Sequence, residues 1–260
     1  MLAMDRMEKD KYSTKRAVDE LSGQYEISIH AIISIQDIIS AIEDRVIARE
    51  EWLESLKKYY EEYGGAYAYA HLSPEGPINA DFLTICPFLG KDSMEPFIRT
   101  AKQYDKGIFV LVRTTNEGAA DIQEAITKDG ISVSRSLAVY LDELAQATKG
   151  KYGYSSIGAV VAGTYPEEAK MLRKIMPNNI LLVPGFGEQG ANAKDVLPCF
   201  TEEGLGALVN SSRGVLYAYL KVPGYYGTKE SYLCVLEQQI KKMRDEVYQE
   251  LKKSCSKMVY

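Results

Sequence analysis

Hydrophobic and polar positions along this chain fall into two regimes. From residue 80 onward, short apolar runs recur at intervals: ADFLTICPF (80–88), GIFVLVRT (107–114), GAVVAGT (158–164), ILLVPG (180–185) and ALVNSS (207–212). They are rich in β-branched residues and nearly unbroken in hydrophobicity, as strands buried on both faces of a parallel sheet must be. Helical periodicity fills the intervals. After residue 164, Thr164-Tyr165-Pro166-Glu167 reads as a capping box with proline in the first turn, and Ala169, Leu172 and Ile175 share one face beyond it. A last helix repeats Leu236, Ile240, Met243, Val247 and Leu251 at spacings of three and four. The long interval between 114 and 158 predicts an extra excursion over the strand ends. Strand–helix alternation predicts an α/β protein, an incomplete (β/α)₈ barrel holding about five of the eight strand–helix units.

The first 65 residues have a different pattern. MLAMD (1–5) and EISIHAII (26–33) read as strands, Ile35, Ile38, Ile39 and Ile42 as one amphipathic helix, and Trp52, Leu53, Leu56 and Tyr60 as another. Near Gly64-Gly65 this charged region gives way to AYAYAHLSPEGP, where a domain boundary is expected.

Composition narrows the function classes. A formal charge of −5, without a basic block, argues against a nucleic-acid surface. No apolar run approaches the ~18 residues that span a bilayer, and the start lacks a signal-peptide pattern, so no membrane partner and a cytoplasmic location are expected. Cys86, Cys199, Cys234 and Cys255 are scattered without a C-x-x-C pair, as reduced thiols are, and suggest no metal site.

Candidate chemistry sits at the strand ends. Behind Ile180-Leu181-Leu182 comes VPGFGEQG (183–190), whose glycines allow close approach to backbone N–H groups. After the next strand, Asn210-Ser211-Ser212-Arg213-Gly214 offers hydroxyls and a guanidinium able to grip phosphate oxygens in pairs. Together they suggest a phosphate cup; each alone also reads as an ordinary turn. Arg113-Thr114-Thr115-Asn116 ends another strand with groups suited either to a polar ring or to capping a helix. His30 reads as a buried histidine and His71 as a solvated one, and neither has a nucleophile or carboxylate partner nearby in sequence. Lys91-Asp92 could be an acid–base pair, but reads better as a helix start with Asp92 near first-turn amides.

The blocks NADFLTICPFLGKDSMEPF, FVLVRTTNEGAADIQ, VVAGTYPEEAKMLR, LLVPGFGEQGA and VNSSRGVLYAY, in that order over about residues 66–230, resemble the long-form orotidine 5'-phosphate decarboxylases. That resemblance implies a cofactor-free, dimeric barrel that converts orotidine 5'-phosphate to UMP and CO₂ in pyrimidine synthesis. It implies that Gln189 and Arg213 bind the substrate phosphate, with Gly185 and Gly187 in the supporting loop. Thr115 stands where the family has a serine against the pyrimidine. The family's Asp-x-Lys-x-x-Asp motif, which supplies the proton donor, has no counterpart: before Gly64 the chain reads EEWLESLKKYYEEYG, where Lys57 and Lys58 lie in a helical pattern. LAMDRMEKDK, the stretch from AVDELSGQYEISIHAII to SAIED, and KKYYEEYGG resemble instead the C-terminal part of orotate phosphoribosyltransferase, giving an expected division into 1–65 and 66–260. Three readings follow. The chain is a decarboxylase using Lys91 or a lysine lent by another chain, a nucleotide-binding or assembly module binding orotidine 5'-phosphate or UMP, or a truncated merger of a transferase and a decarboxylase.

Overall fold

The computed structural model describes residues 64–223 and 227–254. The strands and helices expected within 1–63, with His30, Lys57 and Lys58, lie outside the described residues. The chain divides into two compact units, one containing residues 1–80 and 89–104, the other 81–88 and 105–260.

Within the first unit, helix α1 (64–72) and helix α2 (Lys91–Gln103) are described. Ala68 and Leu72 of α1 and Met94 and Ala101 of α2 are fully buried. As the sequence predicts, Asp92 lies in the first turn of α2, where a carboxylate favours the unpaired amides. His71 differs from its expectation. It is half-buried, its Nδ1 is 2.9 Å from the Tyr67 carbonyl, and its ring stacks on Tyr67 at 4.2 Å between centroids.

The second unit carries the sheet. Strands β1 (Phe82–Ile85), β2 (Gly107–Arg113), β3 (Ser155–Val161), β4 (Asn179–Val183) and β5 (Ala207–Val209) are all parallel, and their spatial order is their sequence order. A doubly wound sheet reverses direction part-way; this one does not, which is how an arc of a (β/α)₈ barrel runs. β2 and β3 are buried along nearly their whole length, explaining their continuous hydrophobicity. Among the described residues β1 and β5 each pair on one side only, and their burial is patchy.

Between β2 and β3 stand a short helix, α3 (Ala119–Gln123), an isolated bridge between Ile126 and Ser132, and the main helix α4 (Val133–Ala147). This is the predicted excursion. Helix α5 (Pro166–Ile175) follows β3, α6 (Ala193–Val196) follows β4, and α7 (Ser212–Leu216) follows β5. Helix α8 (Lys229–Ser254) ends the described chain.

Three local expectations need correction. β3 begins at Ser155 rather than 158, because the Ser155 hydroxyl is satisfied by Thr148 Oγ1 at 2.7 Å and by the Ile157 amide, so a buried serine fits there. The capping box before α5 does not form. Tyr165 is the N-cap, no side chain caps the helix, and Thr164 Oγ1 is buried without a partner among the described residues; proline does occupy the first turn. The stripe on α8 is only half covered: Val247 and Leu251 are buried, Leu236 and Met243 half-buried, and Ile240 is 53% exposed. An open groove of about 690 Å³ separates that stripe from Val209, Val215 and Leu216.

Arg173 on α5 holds the amino-terminal side of the sheet together. It is 7% exposed and donates to the carbonyls of Met176 (2.7 Å), Asn179 (2.9 Å), Cys199 (2.8 Å) and Gly206 (2.7 Å). Those carbonyls belong to the segments that enter β4 and β5. Burial pushes the guanidinium down to about 10, so it stays cationic at neutral pH, and pushes the neighbouring Cys199 thiol up to about 12, so it stays protonated. Arg173→Met leaves several buried carbonyls without donors. It should cost about 3 kcal/mol in urea denaturation followed by far-ultraviolet circular dichroism; a midpoint equal to the parent's would contradict this role.

Candidate functional site

A parallel sheet sends every loop that follows a strand to the same rim, so Thr115, the 183–190 loop and the 210–214 loop converge. Backbone hydrogen bonds extend the sheet pattern past the strand ends and fix these loops to one another. Ala162 N donates to Arg113 O, Gly163 N to Pro184 O and Asn210 N to Val183 O, each at 2.9 Å.

The loop after β4 is a closed turn. Gly185, Gly187 and Gly190 have φ of 108°, 77° and 100°, the left-handed region where a side chain is strained. Gly185 is also tight in space, since a Cβ there would stand 3.0 Å from Thr164 Cγ2 and 3.3 Å from Thr115 Cγ2. Its glycines do not all present free amides, as the sequence suggested. Gly187 N donates to Ala191 O (2.8 Å), Gly190 N to Gly187 O (2.9 Å) and Ala191 N to Gly185 O (3.1 Å). What the loop offers outward is the side chains of Glu188 and Gln189.

Gln189 and Arg213 line one cup of about 140 Å³ together with Gly185, Phe186, Asn210 and Gly214. Neither side chain is hydrogen-bonded to another described residue, so an amide and a guanidinium converge there with their donors unspent. The serines of the second loop line the cup too, but their hydroxyls donate to protein acceptors. Ser211 Oγ donates to Phe186 O at 2.9 Å, and Ser212 Oγ to Asn210 Oδ1 at 3.1 Å. Gly187 supports the turn without lining the cup, and Thr115 borders Gly185 at its edge.

Two charged groups escaped the sequence reading. Glu188 also lines the cup and is ion-paired with Lys221, so the net charge left at the cup is that of Arg213. The Lys221 ammonium, through its hydrogen bond and its charge, holds the Glu188 carboxyl below the usual carboxylate range; Arg213 adds to this. No spacing in the sequence links positions 188 and 221.

Arg113 has a role unlike the one its position suggested. It is 2% exposed, with Nε donating to Glu168 Oε2 (2.7 Å) and Nη2 to Glu124 Oε1 (2.6 Å). Its guanidinium lies 3.8 Å from the centroid of the Tyr165 ring. Thr114 is spent as well: its amide donates to Gln123 Oε1, and its hydroxyl donates to Asn116 and accepts from Gln123 Nε2. Of the Arg113–Asn116 stretch, Thr115 alone keeps a hydroxyl without a hydrogen bond to another described residue. Lys91 opens α2 in the first unit. Among the described residues no cluster of His, Cys, Asp and Glu could hold a metal ion, and no helix is long and apolar enough to cross a membrane.

Two outcomes follow from these charges. Arg113→Met strands Glu168 beside an apolar side chain and should lower unfolding stability by about 3 kcal/mol at pH 7; Arg113→Lys should restore less than half, since one ammonium cannot fork to both carboxylates. Glu188 should titrate below an ordinary glutamate when followed by its carboxyl carbon chemical shift, and Lys221→Gln should move it back up. Because its pKa is depressed on folding, whatever stability it adds is present above the unfolded carboxylate value and disappears as pH falls through the folded one.

The sequence profile of the Orotidine 5'-phosphate decarboxylase / HUMPS family matches residues 65–222. Among curated proteins the chain is 42% identical over 183 residues to the orotidine 5'-phosphate decarboxylase of Clostridium tetani, covering 70% of this chain and 61% of that one. It is 43% identical over 157 residues to the orotidine 5'-phosphate decarboxylase of Rhodopirellula baltica, covering 60% and 52%. The chain thus spans about half to three-fifths of the length of these relatives. Among solved structures, Leishmania donovani UMP synthase matches with a TM-score of 0.52 at 24% identity, over 76% of this chain and 43% of that one. Leishmania donovani OMP decarboxylase matches with a TM-score of 0.51 at 22% identity, over 76% and 77%. The fold is shared with both, and by the profile match over more than half its length the chain belongs to the Orotidine 5'-phosphate decarboxylase / HUMPS family.

Proposed function

We propose that this chain binds a pyrimidine nucleoside 5'-phosphate, orotidine 5'-phosphate or UMP, with its phosphate in the cup between Gln189 and Arg213. The observation that carries this is the convergence of those two side chains, far apart in sequence, on one small cup at the carboxyl rim of the sheet. The guanidinium can take two phosphate oxygens and the amide a third, while Gly185 and Gly187 shape the turn that presents Gln189. In this reading Thr115, whose methyl group borders Gly185, offers its hydroxyl to the pyrimidine.

Binding is one step short of decarboxylation. Loss of CO₂ from the pyrimidine ring leaves an electron pair on carbon, and a cation must stabilise it and deliver a proton. The lysine–aspartate motif that does this in the family has no counterpart in the sequence, so our reading is of a nucleotide-binding chain that does not turn over alone. Decarboxylation is the second reading, favoured by the identity to relatives named for that reaction. It needs a donor, either Lys91 or a lysine from another chain. No cofactor is called for. We read residues 1–65 as a segment like the C-terminal part of orotate phosphoribosyltransferase and residues 66–260 as the barrel portion, acting as a homodimer in the cytoplasm.

UMP should raise the melting temperature, corresponding to about 2.7 kcal/mol when present at a hundred times its Kd. Arg213→Ala should abolish the rise. A parent protein indifferent to UMP would sink the binding reading, and steady loss of orotidine 5'-phosphate absorbance would replace it by the decarboxylase one.

A further inference from the structure

We propose that Ser211 is the positioning residue of the phosphate cup, its hydroxyl holding the Arg213 loop against the Gln189 loop at the spacing a phosphate requires. This deepens the nucleotide-binding reading above and rests on it.

Ser211 is the N-cap of α7, a position where a serine side chain ordinarily accepts from an amide of the first helical turn. Here it makes no such bond. The hydroxyl is turned across to the other loop and donates to Phe186 O at 2.9 Å, a side-chain hydrogen bond between two segments 25 residues apart. Phe186 is buried and lies three residues before Gln189; Arg213 lies two residues after Ser211. The bond therefore joins the two loops in the wall of the cup itself, which Phe186 and Ser211 line beside Gln189 and Arg213.

Both nearby glycines border the same oxygen, Gly214 closely and Gly187 at van der Waals contact. A Cβ on Gly214 would stand 2.6 Å from Ser211 Oγ, closer than real Cβ atoms approach, and one on Gly187 would stand 3.4 Å from it. The two loops thus meet on one hydroxyl, and Gly214 makes room for it. Holding the donors in place before the ligand arrives lowers the ordering cost of binding, and only the phosphate end of the ligand gains from it.

The test is calorimetric titration of the parent, Ser211→Ala, Ser211→Thr, Gly214→Ala, the Ser211→Ala/Gly214→Ala double variant and Arg213→Ala with UMP and with uridine. Ser211→Ala should raise the Kd for UMP about tenfold, the value of one lost hydrogen bond, and leave that for uridine unchanged. Ser211→Thr keeps the hydroxyl and should bind like the parent. Gly214→Ala should also weaken UMP, but without the oxygen its clash disappears, so the double variant should be no weaker than the worse single one. Ser211→Ala that binds UMP like the parent while Arg213→Ala fails overturns the positioning role and leaves the cup standing. Equal losses for UMP and uridine, or additive losses in the double variant, overturn it too. If Arg213→Ala binds UMP like the parent, or the parent does not distinguish UMP from uridine, the phosphate cup falls and the role of Ser211 with it.

Discussion

Parallel strands cannot be joined by tight hairpins; each needs a crossover long enough to return the chain to the end where it began. That constraint governs the second unit. Each connection from β1 to β5 brings the chain back to the same side, so the loops after β2, β4 and β5 issue on one rim although tens of residues separate them. The cup exists because of this return. Gln189 and Arg213 need no sequence proximity, only adjacent strands, and β4 and β5 pair directly through Leu181–Ala207, Leu182–Leu208 and Val183–Val209.

Two buried arginines hold opposite ends of this sheet by different means. Arg173 meets only carbonyl oxygens, so its charge is shared among dipoles while the geometry of the segments entering β4 and β5 is fixed. Arg113, at the exit of β2, meets two carboxylates and an aromatic face, and so links β2 to α3's end and to the first turn of α5. Neither cation is offered to a ligand. The available one is Arg213, exposed on a short helix, and its neighbour Glu188 is already matched by Lys221. Among the described residues lining the cup, the Glu188 carboxylate is thus matched by Lys221, and the Arg213 guanidinium is left without a hydrogen bond or salt bridge.

The strands were legible because burial on both faces leaves an unbroken apolar run, which β2 and β3 show most fully. The convergence of the 183–190 and 210–214 loops was legible from the barrel rhythm alone. Side-chain partners were not. Arg113 read as part of either a ring-binding or a capping turn, because Glu168 lies 55 positions away and nothing local marks it as a partner. Thr164 looked like a cap because capping is judged from spacing, whereas the backbone placed Tyr165 at the helix entry. Ser211 and Ser212 looked like phosphate hydroxyls for the same reason. A hydroxyl can turn to any acceptor within reach, and the Phe186 carbonyl comes within reach only once β4 and β5 are paired.

The identity of spatial and sequence order in the sheet also bears on how this unit assembles. Each described strand after β1 pairs with the one made just before it, so no pairing among these strands must wait for a more distant part of the chain. Each pairing then closes the loop of a single crossover, the smallest loop cost a parallel arrangement allows, although parallel pairing as such is slow. During synthesis each new strand–helix pair meets an edge already formed and adds to it, as a repeat adds to a stack. The growing edge is then always the newest strand, and among the described strands the last to join is β5, whose Leu208 is 52% exposed.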